Sequence, residues 1–455
     1  MRISFLLTCS ALTLSGCIVS SLDLPDFKGP GSWVSASGQE QRIAGANAVS
    51  LQNWWYRFND PLLSVLIDKA LADSPDRKIA EARILEARGL RKATRASLFP
   101  QIGASATKGR EDTVQSDADD YYDARFDVSY ELDIFGKNRK RFAASNATLE
   151  NLEAKYQDVT LSLVAEVART YTEMCAAEKQ VRIAQDNLKT QEQTLSLVDQ
   201  LYAAGESTQL DVERTKNLVN TTRASIPEFQ RQSENARLRL SVLTGALPND
   251  LAGIEFVSKK IPDSDVAPVL MAPARVLALR PDIRAAAANL RAKTNLSAAT
   301  LTAIFPSFTL SGFYGVAENA FASSTGIWNV AVGAAVTVLS FGRLEGEIDA
   351  ARAREMEAYE SYRKVVLEAV VEVETALSDY AHINEQAFSL FKAYENAQEA
   401  FFLSQQLFKE GEISFLDVLD AQRTVNDAQS ALTNAQAAKA LALIRLYKSL
   451  GVGPT

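Results

Sequence analysis

The side chains of this chain that can do chemistry are carboxylates at regular spacing, one cysteine in a lipidation motif, and little else. Between Tyr122 and Ile134 the odd positions hold Asp123, Arg125, Asp127, Ser129, Glu131 and Asp133. The even positions hold Tyr122, Ala124, Phe126, Val128, Tyr130, Leu132 and Ile134. A row of acids on one face suits a water-filled space and draws cations into it. Two more acids, Asp417 and Asp420, sit in the segment from Gly411 to Asp420. With one histidine, His382, and three cysteines, the chain lacks the material for Cys/His metal sites and for Ser/His or Cys/His nucleophile pairs. It carries no Gly-rich phosphate loop and no acid/base constellation, so no catalytic residue, metal site or cofactor is expected. The net charge of −8, from 56 acidic and 48 basic residues, has the wrong sign for a nucleic-acid partner.

The alternation that positions the acids has period two and predicts a strand. Its upstream partner runs from Gln101 to about Arg110 through Ile102, Ala104 and Ala106. The same parity returns in Phe308, Leu310, Tyr314 and Val316, then in Trp328, Val330, Val332, Val336 and Val338. Two hairpins are therefore expected, with strands at about 101–134 and 307–340. Strands of roughly ten residues are long enough to cross a bilayer when tilted. A soluble sandwich also alternates, but seldom sets Asp, Arg, Asp, Glu and Asp along one exposed face. Four strands cannot close a barrel, and an open edge is not tolerated in lipid, so the chain must share its barrel with copies of itself.

The two hairpins belong to an internal repeat. Pro75-Asp76 returns as Pro281-Asp282, Phe99-Pro100 as Phe305-Pro306, and Phe135-Gly136-Lys137 as Phe341-Gly342-Arg343. Gly205-Glu206 returns as Gly411-Glu412, and Leu210-Asp211-Val212 as Leu416-Asp417-Val418; every pair is offset by 206 residues. After each Phe-Gly a long helix begins. Met174, Val181, Leu188, Leu195 and Tyr202 keep heptad spacing, which predicts coiled-coil packing. From Lys137 to Tyr202 no Pro or Gly occurs, so at 1.5 Å per residue the helix runs roughly 100 Å, a length for bridging. The predicted long helices are 137–204 and 207–244, the latter interrupted at Pro227, and 343–410 and 413–450. Residues 61–248 form repeat one, 249–275 a connector, and 276–455 repeat two.

Residues 1–16 read as a secretory signal peptide, with Arg2 followed by an uncharged apolar stretch and small residues. Leu14-Ser15-Gly16-Cys17 matches the bacterial lipobox, which makes Cys17 the acylated first residue of a lipidated segment, 17–60. Several acyl chains, palmitate among them, give a stable anchor where one gives a marginal one. Ile18 follows the cysteine in place of an inner-membrane retention aspartate, which favours the outer membrane.

Together Trp54-Trp55, Phe58, Asp60-Pro61-Leu62, Leu279-Arg280-Pro281-Asp282-Ile283-Arg284, Phe305-Pro306, Phe341-Gly342-Arg343 and the segment Gly411 to Gln422 carry a resemblance over nearly all of the mature chain. The chain resembles the TolC-like outer-membrane factors, in the lipoprotein branch serving RND efflux pumps. The resemblance implies a mostly α fold with a membrane β-barrel: a homotrimer whose twelve strands close one barrel, continued by an α-barrel across the periplasm. It also implies a periplasmic adaptor protein meeting the helical tips at Gly205 and Gly411, and an inner-membrane RND transporter supplying the energy. In the family, the aspartates at Asp417 and Asp420 ring the periplasmic constriction. Asp417 also suits a helix terminus, since its repeat mate is Asp211, whereas Asp420 is matched by Arg214. The tyrosine and arginine that lock some family tips are here Phe408 and Ile413. The implied function is an outer-membrane exit duct for small molecules. The alternatives are the duct of a type I protein-secretion system, against which the lipobox argues, and a structural coiled coil.

Overall fold

The computed structural model describes residues 30–36, 52–113, 116–251, 260–263, 271–319 and 322–454. The signal peptide, Cys17, and much of the N-terminal segment and connector lie outside these. The chain forms two compact units. One takes in Arg91–Ala147 and Asn289–Ala358; the other takes in Gly29–Leu90, Thr148–Ala288 and Tyr359–Thr455.

The first unit holds the strands β1 (Gln101–Thr113), β2 (Ser116–Leu132), β3 (Ser307–Asn319) and β4 (Ala322–Ala335). They form one antiparallel sheet in the order β1-β2-β3-β4. The central pairing, β2 with β3, joins the two repeats from Tyr122↔Glu318 to Leu132↔Phe308. Because directly opposed residues share a face, Phe126↔Tyr314, Tyr314↔Trp328 and Leu310↔Val332 continue one apolar surface across β2, β3 and β4. That surface is bare: Tyr314, Trp328, Val330 and Val332 are each about 70% exposed. Among the described residues β1 and β4 keep one unpaired edge each.

The second unit is helical. Its long pieces are drawn from α3 (Lys137–Ala203) with α4 (Gln209–Leu243), and from α7 (Arg343–Glu410) with α8 (Phe415–Ser449). Shorter helices are α1 (Pro61–Asp73) and α5 (Pro273–Leu279), with the first parts of α2 (Pro75–Ala96) and α6 (Pro281–Leu301), whose residues from Arg91 and from Asn289 onward belong to the first unit. Asp60 starts α1 by accepting from the backbone N–H groups of Leu62 and Leu63, at 3.0 and 3.1 Å, ahead of Pro61. The Tyr171 hydroxyl holds the other Asp60 oxygen at 2.8 Å. The core gathers Trp54, Trp55, Leu63, Leu66 and Ile67 against Val164, Tyr171 and Met174 of α3, Leu240 of α4, Val373 of α7 and Tyr447 of α8. Trp54 stacks on Tyr447 with ring centroids 5.5 Å apart. Burying each such side chain stabilises the fold by about 1.5–3 kcal/mol. Among the described residues no helix is long and apolar enough to cross a membrane.

The repeat is visible in the backbone. α3 and α7 have 67 and 68 residues, and α4 and α8 have 35 each. Several boundaries differ from the sequence expectation, for local reasons. β2 ends at Leu132, not near 134, because the Asp133 carboxylate turns to accept from the backbone N–H groups of Asn138 and Arg139, at 3.0 and 2.8 Å. β4 ends at Ala335, not near 340, since Ala335 faces Ser307, the first residue of β3, and Pro306 before it has no N–H to donate. α8 starts at Phe415, because Ser414 is its cap. α4 passes through Pro227 without a break: one lost hydrogen bond in a packed 35-residue helix does not end it. The deepest heptad of α3 is Ala177, Ala184, Gln191 and Val198, while Tyr202 on the expected seam is 46% exposed.

Candidate functional site

On the sheet face opposite the apolar surface, β2 presents Asp123, Arg125, Asp127 and Glu131. Their neighbours across the strands are small or neutral. Asp127 faces Gly103 and Phe313, Arg125 faces Ser105 and Gly315, and Asp123 faces Thr107 and Ala317. Arg125 lies 3.1 Å from Asp127 and 3.7 Å from Asp123, with its guanidinium 5.3 Å from the Phe313 ring centre. Ser105 donates to Asp127 at 2.9 Å, and Lys137 pairs with Glu131 at 2.5 Å. The sequence pattern places Asp123, Asp127 and Glu131 together on this face. Asp133 lies beyond the ladder, where it caps α3 and pairs with Arg139.

The hairpin turns are built alike. Gly205 and Gly411 take φ of 79° and 78°, a region that favours glycine. The N–H of Glu206 donates to the Leu201 carbonyl at 2.8 Å, and that of Glu412 to the Leu407 carbonyl at 2.9 Å, closing the helix ends. The next helix starts from a reciprocal cap. Asp211 accepts from the Thr208 hydroxyl and backbone, and Asp417 accepts from the Ser414 N–H at 2.9 Å and hydroxyl at 2.7 Å. The Thr208 hydroxyl bond holds the Asp211 carboxyl below its usual range. Asp417 thus does at its turn what Asp211 does at the other. Asp420 is different: its side chain is 71% exposed, and Arg423 approaches no closer than 3.7 Å. Phe408 meets Phe415 edge-on at 5.5 Å across the turn.

Two further constellations depend on long-range contacts. Arg280, 7% exposed, grips Asp282 at 2.7 and 3.0 Å and Glu372 at 2.6 Å, and donates to the Ser449 carbonyl at 2.6 Å. A Cβ on Gly451 would strike the Arg280 side chain, so this glycine clears the space. Asp158 stands beside the cluster with its carboxyl pushed up, by burial first and by the Asp282 charge second. Near the N-terminus, Trp33 is buried and donates to the Met271 carbonyl at 2.7 Å, while the Glu374 carboxylate accepts from the N–H groups of Val34 and Ser35 at 2.8 and 2.9 Å. The sequence signal for this clasp is thin: one tryptophan after Gly29-Pro30-Gly31. Among the described residues no group of His, Cys, Asp and Glu is placed to hold a metal ion.

The model of the outer membrane efflux protein family matches residues 66–246 and again residues 272–452, two stretches in the same 206-residue register as the repeat. The chain belongs to the outer membrane efflux protein family. Over 99% of its length it is 32% identical to the pyoverdine export outer membrane protein OpmQ of Pseudomonas aeruginosa, covering 97% of that relative. It is 27% identical to the probable outer membrane lipoprotein SilC of Salmonella typhimurium, over 97% of this chain and 96% of the relative. Among solved structures, the outer-membrane channel OprN superposes with a TM-score of 0.84 at 31% identity, over 88% of this chain and 92% of that one. The open-state MtrE channel of Neisseria gonorrhoeae superposes at 0.76 with 28% identity, over 86% and 89%. The fold is therefore TolC-like, and the protein is an outer-membrane efflux channel of a family of channels, not enzymes. In a channel, a charged strand face and the turns of the long hairpins are working surfaces, where in an enzyme they would be scaffold.

Proposed function

We propose that the chain is the passive exit duct of a tripartite efflux pump, carrying small molecules across the periplasm and outer membrane. In this reading three copies close a twelve-stranded barrel continued by an α-barrel, and they work with a periplasmic adaptor and an inner-membrane RND transporter. The observation that carries it is the sheet: among the described residues, four strands with two unpaired edges, one bare apolar face and one charged face. A single chain cannot satisfy those edges in lipid, whereas copies joined β1 to β4 satisfy all of them. The alternative is the duct of a type I protein-secretion system. A strain lacking the gene is expected to become sensitive to small toxic compounds and to recover with the wild-type gene. Normal tolerance combined with a lost secreted protein favours the alternative.

The same reading anchors the protein by acylated Cys17. The mature N-terminus is expected to show an acylated cysteine by mass spectrometry, and an unmodified terminus cut elsewhere excludes the anchor. In the same reading Gly205 and Gly411 turn the tips that meet the adaptor. Asp417 and Asp420 narrow the periplasmic entrance, and the engagement of Asp417 in its cap leaves most of the free charge to Asp420. In a threefold assembly Asp420 makes a ring of three carboxylates, whose repulsion favours a bound counter-ion. Asp420→Ala is expected to raise single-channel conductance and weaken block by polyvalent cations. Asp417→Ala is expected to cost the helix end about 1 kcal/mol. If conductance and block are unchanged in the double variant, both residues serve helix ends only.

A further inference from the structure

We infer that Arg125 sets the ion selectivity of the barrel, acting as the one basic side chain that the described strand residues place on its inner face. This rests on the channel reading above, in which the charged face of β2 lines the lumen. Among the sheet residues whose side chains are described, that face carries three acids, Asp123, Asp127 and Glu131, and one base, Arg125. Glu131 is taken up by Lys137 at 2.5 Å, at the start of α3. The remaining charge lies at one level of the strand, where Arg125 stands between Asp123 and Asp127 at 3.7 and 3.1 Å.

The surroundings hold the guanidinium there. The cross-strand neighbour of Arg125 on β3 is Gly315, where a Cβ would collide with the Arg125 Cβ at 2.5 Å and with the Ala124 carbonyl. The missing side chain lets the arginine lie down across β3, with its cation 5.3 Å from the Phe313 ring centre. On the other side Ser105 donates to Asp127 at 2.9 Å and fixes that carboxylate. Two carboxylates against one guanidinium leave one net negative charge per chain at this level, and removing the guanidinium doubles it. Rings of fixed charge in a narrow aqueous pore govern which ions enter. Arg125 is thus a specificity-determining residue: it moderates the cation preference and leaves a positive centre beside an aromatic ring in each chain.

The test is the reversal potential of purified full-length protein in a planar bilayer under a potassium chloride gradient. Arg125→Gln is expected to raise the cation-over-anion permeability ratio about twofold, following the doubled ring charge. Asp127→Asn is expected to lower the ratio toward one, and Arg125→Lys to keep the wild-type value. Pores from Arg125→Gln with an unchanged reversal potential overturn the inference, as does a shift that Arg125→Lys fails to prevent. If Arg125→Gln does not assemble, the Asp127→Asn shift alone decides: no shift in intact pores contradicts the charge balance. Absence of pores from the wild type removes the channel reading itself, a different outcome from pores whose selectivity ignores these residues.

Discussion

Arg280→Ala is expected to destabilise the helical unit by about 3 kcal/mol and to deplete the protein from the outer membrane. The arginine is almost enclosed, and removing it leaves Asp282 and Glu372 without their shared cation and the Ser449 carbonyl without its 2.6 Å donor. Breaking a buried pair from one side costs about 3–5 kcal/mol. Both carboxylates keep roughly a third of their surface in water, which places the loss at the lower end. Asp158, already pushed up by burial and by Asp282, loses one of the two cations that hold it down. Arg280→Lys keeps the charge but not the forked geometry, and is expected to fall between wild type and alanine. Thermal midpoints in detergent and the amount of protein in outer-membrane fractions measure this. An alanine variant that melts and accumulates like wild type contradicts the role given to Arg280.

The second large effect is expected on the apolar sheet face. Val330 stands between Trp328 and Val332 on one face of β4, with all three largely exposed, whereas Asn329 lies on the face shared with Asp127 and Phe313. An arginine facing the middle of the bilayer costs about 2–4 kcal/mol, and one facing the lumen costs far less. Val330→Arg is therefore expected to abolish outer-membrane assembly in a threefold barrel, where the penalty is met three times, while Asn329→Arg assembles and conducts. Crosslinking of outer-membrane fractions distinguishes the two variants. Equal tolerance of both substitutions contradicts the assignment of faces.

The helices and the charged strand face were legible in the sequence because each is written in local periodicity, and the repeat because short motifs return at one offset of 206 residues. Phe-Gly, Gly-Glu and Leu-Asp-Val recur at one offset because each marks a backbone event that occurs twice: a positive-φ glycine before α3 and α7, a glycine ending each long helix, and an acid capping the next. What escaped was decided by contacts between distant residues. Arg280 meets residues 92 and 169 positions away, and Val34 meets a carboxylate 340 positions away. The buried heptad of α3 runs through Ala177, Ala184 and Gln191, small or polar residues that a search for large apolar side chains passes over. Asp133 fits the alternation of β2 perfectly, yet its carboxylate serves the first turn of α3; a strand pattern cannot show where the strand stops. For Asp417 the sequence left two roles open, ring residue and helix-terminus residue; its bonds to Ser414 show the second, which repeats in Asp211, while the exposed Asp420 has no acidic counterpart in repeat one.

In the proposed reading, copies of this chain close a water-filled barrel through the outer membrane. Single-channel recording from purified protein in planar lipid bilayers tests it most directly. Discrete, long-lived conductance steps are expected, with a reversal potential of cation sign in a salt gradient. A bilayer that stays electrically silent over correctly folded, fully incorporated protein contradicts it.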